Sequence, residues 1–331
     1  MKSREIHLNE YLKGEPRPDN FSLVEVDVPA PKDGEVTVKN HYISVDPYMR
    51  GRMSGIRTYI GPFELGQVME GGAVGEVVES KDDRFKPGDF VNSMHGWREA
   101  YTASGDGLTK IDTDLLPAQA YLGLAGMPGL TAYAGIKRII GLKEGETLWM
   151  SAGAGSVGTA GIQFAKAMGA TVIATAGGPE KCDFVKSLGA DHVIDYKATD
   201  NLTAAVQAVA PKGIDGYFEN VGGTHFTAAL NVLKPMGRMA ACGMIQRYND
   251  TEASMVPDNL TQIVGKSLKI QGFIVSNHFD LMPNFVEELG GWMAAGKIQL
   301  AETVMDGIDK APEAFMGLFT GANTGKMLVK I

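Results

Sequence analysis

The chain has 331 residues, of which 44% are hydrophobic and 21% charged, and its net charge is −8. That length suits two domains with ample core, and the acidic balance argues against a general nucleic-acid binder or an anionic-membrane protein, both of which need a basic surface. Cys182 and Cys242 are the only cysteines, too few for a disulfide framework or a cysteine-rich metal site.

In chain order, the opening MKSREIHLNEYLKGEP lacks the apolar run of a signal peptide. SLVEVDVP (22–29), EVTVKNHYISV (35–45), VMEGGAVGEVVES (68–80) and DFVNSM (89–94) alternate as strands, with PKDGE and KPGD as turns between them. Gly71, Gly72 and Gly75 inside one of these runs suggest a bulge or a close backbone approach, as at the corner of a small barrel. The least polar stretch, LLPAQAYLGLAGMPGLTAYAGI, is broken by Gln119 and Pro128-Gly129 and suits a buried helical connection better than a membrane span. A soluble cytoplasmic protein is expected.

Past residue 120 strands alternate with helices. ETLWMSA (146–152), TVIATA (171–176), HVIDY (192–196), IDGYFENV (214–221), GRMAACG (237–243) and KIQGFIV (269–275) read as strands. One helix runs through Lys166 and another starts near Pro179. This alternation predicts βαβ units and a parallel sheet, an α/β fold. The tail ends in GKMLVKI, a strand able to pair back with the N-terminal β-rich domain.

SAGAGSVG (151–158) spaces Gly153, Gly155 and Gly158 as G-x-G-x-x-G between an apolar strand and an amphipathic helix. The first glycine permits the tight turn, the second a close approach to pyrophosphate, and the third close packing of helix on strand. A structural glycine turn is the competing reading. About 20 residues further on, a carboxylate gripping a ribose 2′-hydroxyl is expected in an NAD site, but the sequence there is ATAGG. A carboxylate would repel a 2′-phosphate, so its absence removes that barrier. Lys181, just beyond, offers a point charge, and Tyr196, at the end of the next strand, a phenolic donor. Singly each reads as an ordinary surface residue; together, behind a missing acid, they favour NADPH.

A catalytic zinc in the β-rich domain would need thiolate or imidazole ligands. No cysteine precedes Cys182, Met69-Glu70 stands where a His-Glu pair would be expected, and His41 and His95 are isolated. No metal site is expected.

ISVDPYMRGRM (43–53), GMPGLTAY (126–133), KEGETLWMSAGAGSVG (143–158), GGPEKC (177–182), KGIDGYFENVGG (212–223), CGMIQRYN (242–249) and GANTGK (321–326) occur in order along the chain. With these motifs the sequence resembles the zinc-independent medium-chain reductases, in the branch of leukotriene hydroxydehydrogenase/prostaglandin reductase, plant alkenal double-bond reductases and bacterial curcumin reductase. The resemblance implies a Rossmann-type doubly wound parallel sheet plus an N-terminal GroES-like β-barrel domain completed by the C-terminal tail. Its divisions fall at 1–120, 121–298 and 299–331. It implies NADPH-dependent reduction of the C=C bond of enones and alkenals, and a homodimer. Lys181 and Tyr196 would hold the 2′-phosphate, and Gly155, Ser156, Val157 and Gly158 would line the pyrophosphate. Asn220 would sit at a strand's carboxyl end. Cys242, Gly243, Met244, Phe273 and Val275 would surround the nicotinamide, and Asn323 would reach the cofactor from the tail. Relatives often carry serine where this chain reads MIQRYN, so the pocket's polarity is its own.

Hydride delivery to the β-carbon of an enone builds negative charge on the carbonyl oxygen, which calls for a hydrogen-bond donor. Tyrosine, protonated at neutral pH, can donate there and supply a proton. Tyr248 and Tyr48 are the candidates, Tyr248 as the main oxygen donor and Tyr48 as a substrate-positioning group, with the cofactor's ribose hydroxyl able to share the role and aromatic packing as the alternative for each. Arg50 and Arg52 read as loop anchors. The rival functions are an NADPH quinone oxidoreductase on the same scaffold and an NADPH-binding sensor without turnover.

Overall fold

A computed structural model describes every residue except Ser254. The chain forms two compact units: residues 1–123, 302–323 and 327–331 make the first, and residues 124–301 with 324–326 make the second.

In the first unit, β1 (Lys2–Leu8) pairs antiparallel with β2 (Phe21–Asp27) as a separate two-stranded sheet. Its main sheet is built on β3 (Glu35–Ser44), which is flanked by β4 (Ala73–Ser80) and β6 (Ala100–Ser104). β5 (Phe90–Ser93) and β7 (Thr109–Lys110) extend it beyond β4. The sequence-predicted strand at 68–80 begins only at Ala73. Val68 and Gly71 instead make isolated bridges to His7 and His95, because the chain changes partners at the glycines. A methyl group on Gly71 would lie 2.5 Å from Met49 Cε, and one on Gly75 would lie 2.5 Å from the Lys39 carbonyl oxygen. These are the close approaches that the glycine cluster signalled. The short helix α1 (Met49–Arg52) follows β3, with Met49 and Met53 fully buried.

The second unit follows period-two logic throughout. Its strands are β8 (Thr147–Met150), β9 (Thr171–Ala176), β10 (His192–Asp195), β11 (Ile214–Glu219), β12 (Leu233–Ala241) and β13 (Lys269–Gly272). All pair in parallel, in the order β10-β9-β8-β11-β12-β13. Near-continuous apolar runs suit strands covered on both faces, and successive side chains part to opposite sides. Leu148, Met150, Val172, Ala174, Phe218 and Ala240 enter one core, whereas Trp149, Ile173, Tyr217 and Met239 enter the other. The helices α2 (Met127–Ala134), α3 (Ser156–Ala167) and α4 (Pro179–Ser187) come first in this unit, followed by α5 (Leu202–Val209) and α6 (Gly223–Val232). α7 (Thr261–Gly265) and α8 (Met282–Ala294) complete it. The strand expected at 269–275 stops at Gly272; Phe273 turns its ring into the core against Phe218, and a 3₁₀ segment starts at Val275.

The order is that of two mononucleotide halves joined at β8 and β11, and ligands bind outside the carboxyl ends of strands at such a switch point. The chain then re-enters the first unit through β14 (Glu302–Asp306), α9 (Ala311–Thr320) and β15 (Lys326–Lys330). Most of β15 pairs antiparallel with β3. Among the described residues no helix is long and apolar enough to cross a membrane.

Candidate active site

The glycine motif leaves β8 through Ser151 and enters α3 at Ser156. Ala152 sits at φ 48°, a left-handed backbone that a side chain adopts at a cost and that clusters at ligand sites. Gly153 N–H donates to the Thr175 carbonyl at 2.8 Å, which ties the turn to β9. A methyl on Gly158 would run into the Ala152 carbonyl oxygen and lie 2.8 Å from Gly153 Cα. The third glycine therefore lets helix and turn touch, and the open N-terminus of α3 fits a pyrophosphate. Gly158→Ala is expected to cost about 1–3 kcal/mol through overpacking, read as a lowered urea midpoint. An unchanged midpoint would mean that the turn yields freely.

The tail reaches the same turn. Gly325 N–H donates to the Ala154 carbonyl at 2.8 Å, and Gly325 bridges in parallel to Gly155. Asn323 is two residues earlier in the chain.

At the end of β9 the acid is missing, as the sequence indicates, and Gly177-Gly178 leads into α4, with Gly178 at φ 92°. Lys181 lies in the first turn of α4, half-buried; burial, then repulsion from Lys197, lowers its pKa. Tyr196 follows β10 and is 42% exposed. Its ring is met edge-on by His225 at 5.4 Å. Burial lowers the His225 pKa to about 4, so this ring is neutral, and Nε2 stands 3.2 Å from Thr175 Oγ1. Two residues here escaped the sequence reading. Lys197 is the second cation, and Asp195 Oδ1 accepts from the Gly178 and Lys197 amides, both at 3.0 Å. The Tyr-Lys pair directly after HVID was the available signal.

At the switch point Asn220 closes β11. Its Nδ2 donates to the Ser151 carbonyl at 3.0 Å, and its N–H donates to Ser151 Oγ at 2.8 Å. Beside it Glu219 is fully buried, a residue that sequence reasoning also missed. Its Oε1 accepts from Val221 N–H at 2.6 Å and Gly222 N–H at 2.9 Å; burial raises its pKa against the pull of these amides. The Glu219 carbonyl takes the Cys242 and Gly243 amides, and the Asn220 and Val221 carbonyls take those of Ile245 and Gln246. The loop after β12 is thus laid along the end of β11. Burial, then the Glu219 carboxyl, pushes the Cys242 thiol up to about 12, which leaves it a thiol rather than a nucleophilic thiolate. Met244 is exposed and packs on Gly222. Tyr248 is half-buried, and its hydroxyl lies against Gly243, where an added methyl would stand 3.1 Å away. Phe273 offers its ring to the core, and Val275 is partly buried beside it.

In the first unit Tyr48 is partly buried against the core that holds Met49 and Trp97. Burial, then Asp46, raises its pKa well above the usual phenol value, so it stays protonated and able to donate. Arg52 pairs with Glu70 at 2.9 Å, donates to the Gly61 carbonyl at 2.9 Å and lies over the Phe63 ring. Arg50 donates to the Gly14 carbonyl at 2.7 Å. Arg52 makes the loop-anchoring ion pair expected from the sequence, whereas this bond of Arg50 is to a backbone carbonyl.

Residues 4–111 match the profile described as the N-terminal domain of oxidoreductase, and residues 156–290 that described as zinc-binding dehydrogenase. The chain is 40% identical to the NADPH-dependent curcumin reductase of Escherichia coli, over 96% of this chain and 94% of that protein. It is 39% identical to the NADP(+)-dependent 2-alkenal reductase of Nicotiana tabacum, over 100% of this chain and 98% of that protein. The crystal structure of CurA from Vibrio vulnificus in complex with NADPH superposes with a TM-score of 0.93 at 38% identity, covering 99% of this chain and 98% of that one. This chain belongs to the medium-chain dehydrogenase/reductase family. Within that family it stands in the zinc-independent branch of the curcumin and alkenal reductases. The zinc in the second description has no counterpart in this medium-chain reductase among the described residues, where no group of three or more His, Cys, Asp or Glu is placed to hold a metal ion.

Proposed function

We propose that this protein reduces the C=C bond of α,β-unsaturated ketones and aldehydes, with NADPH as reductant and no metal ion. Two relatives near 40% identity whose names specify NADP-dependent action on curcumin and on an alkenal support the reading. So does the end of β9, where ATAGG carries no acid and Lys181 follows in the first turn of α4. The observation that carries the chemistry is the Cys242–Tyr248 loop. It is hydrogen-bonded along the carboxyl end of β11, with the Tyr248 hydroxyl against Gly243.

Lys181 and Tyr196 hold the 2′-phosphate in this reading. Gly155, Ser156, Val157 and Gly158 line the pyrophosphate. Asn220, Cys242, Gly243, Met244, Phe273 and Val275 form the nicotinamide end through backbone and side chain, and Asn323 closes the cofactor from the tail. Bound NADPH supplies a hydride from nicotinamide C4 to the substrate β-carbon. The Tyr248 hydroxyl donates to the substrate carbonyl oxygen as negative charge builds there, which lowers the barrier. It then passes its proton to the enolate oxygen, the enol becomes the saturated ketone, and water returns a proton to the tyrosinate. Tyr48, protonated and partly buried, positions the substrate.

The reading includes a cytoplasmic homodimer. β13 supports it as a sheet edge paired only with β12 among the described strands, because such an edge is a template for pairing with a second copy.

Incubating the protein with NADPH and a simple acyclic enone, and separately with a quinone, tests the function. Loss of NADPH absorbance with the enone, and a saturated ketone as product, is expected. Loss with the quinone alone would favour a quinone oxidoreductase, and loss with neither would leave a binding protein.

A further inference from the structure

Two lysines flank the turn that follows β9, and only one of them belongs to the cofactor site as proposed above. Lys181 comes from the first turn of α4, and Lys197 from the residues just past β10. Gly177 lies under the second arm. A methyl group built on it would stand 2.8 Å from the Tyr196 hydroxyl and 3.0 Å from Lys197 Cε. Both side chains therefore fold back over this glycine, and any larger residue at 177 would displace them.

The backbone fixes that arrangement. Tyr196 N–H donates to the Ala176 carbonyl at 3.1 Å. The Asp195 carboxylate bridges the Gly178 and Lys197 amides, which ties the start of α4 to the end of β10. Those two amides, Gly178 first, hold Asp195 below the usual carboxylate range and keep it ionised. His225 backs the Tyr196 ring from the buried side. The Lys197 arm thus lies beside the Tyr196 hydroxyl, over the glycine that leads into the first turn of α4, where Lys181 stands. With the Asp195 carboxylate occupied by those two amides, the ammonium groups of Lys181 and Lys197 supply two positive charges toward a dianion at this turn.

We infer that Lys197 is a direct second holder of the adenosine 2′-phosphate and a determinant of NADPH over NADH, acting on the same anion as Lys181 and Tyr196. This rests on the NADPH reading. Asp195 is the positioning residue of the site, since it fixes the amide of Lys197 and the turn that Lys181 follows. A phosphate monoester carries up to two negative charges and three acceptor oxygens, enough for two ammonium groups and one phenol.

The experiment measures equilibrium binding of NADPH and of NADH, by quenching of protein fluorescence, for the whole protein and for Lys197→Ala, Lys197→Arg and Lys181→Ala. Lys197→Ala is expected to weaken NADPH about tenfold, with NADH unchanged. Lys197→Arg, which keeps the charge, should retain most of the NADPH affinity. The unchanged NADH value also reports that the fold is intact. Equal weakening of both cofactors would overturn the inference, because Lys197 would then act only on structure. Unchanged NADPH binding in Lys197→Ala, beside weakened binding in Lys181→Ala, would also overturn it while leaving the NADPH reading in place. If Lys181→Ala also fails to separate the two cofactors, the 2′-phosphate reading itself falls.

Discussion

Lys181→Ala is expected to raise the KM for NADPH on the order of 10- to 100-fold and to leave the KM for NADH nearly unchanged. The magnitude is that of a hydrogen bond to a charged group, ~1.5–3 kcal/mol, converted to an equilibrium constant. The selectivity follows because the two cofactors differ only in the phosphate. Steady-state kinetics with each cofactor checks it, and an unchanged NADPH value would remove Lys181 from the site. A pH effect accompanies this. Burial, then Lys197, depresses the Lys181 pKa, so the ammonium loses its proton at a lower pH than an ordinary lysine. A group that must be charged to hold a phosphate loses affinity as pH rises through its pKa. The NADPH KM of the unmodified protein should therefore climb on the alkaline side earlier than an unperturbed lysine would allow. That limb should shrink in Lys181→Ala and be missing with NADH.

Tyr248→Phe should lower kcat for an enone about 10²-fold while NADPH affinity stays within about twofold. Removing one donor from a developing oxyanion commonly has this size, and phenylalanine keeps the aromatic ring. The loop itself should survive, because backbone bonds to Glu219, Asn220 and Val221 hold it. Rapid mixing of the NADPH-loaded variant with enone, alongside NADPH titration, separates the two quantities. Should the rate hold steady, the donor role would pass to Tyr48, whose raised pKa likewise keeps its proton.

The strands of the second unit were readable because each is a short apolar run closed by turn residues, and the sheet places alternate residues of those runs in two cores. β1 was harder: Lys2, Arg4 and Glu5 interrupt it, and only its partner β2 and the burial of Ile6 and Leu8 make it a strand. The runs at 68–72 and 273–275 carry strand-forming residues yet lie outside the sheets. Glycine contacts redirect the first, and core packing of Phe273 ends the second. Glu219 illustrates the limit at the site. In sequence it is one acid in FENVGG; in the fold it is buried, and it organises the turn and the loop at the carboxyl end of β11.

By itself the sequence determined the glycine spacing of the cradle, the missing acid after TVIATA and the order of strands and helices. These are properties of neighbours in the chain, legible through period and backbone freedom. Only the tertiary structure decided that Lys197 folds over Gly177 beside the Tyr196 hydroxyl, that Asp195 faces backbone amides, and that the Tyr248 hydroxyl rests on Gly243. The turn after β9 and the residues past β10 come together because β10 pairs in parallel beside β9, which brings the two strand ends to the same edge. The contact of Tyr196 and Lys197 with Gly177 exists only after that pairing has formed.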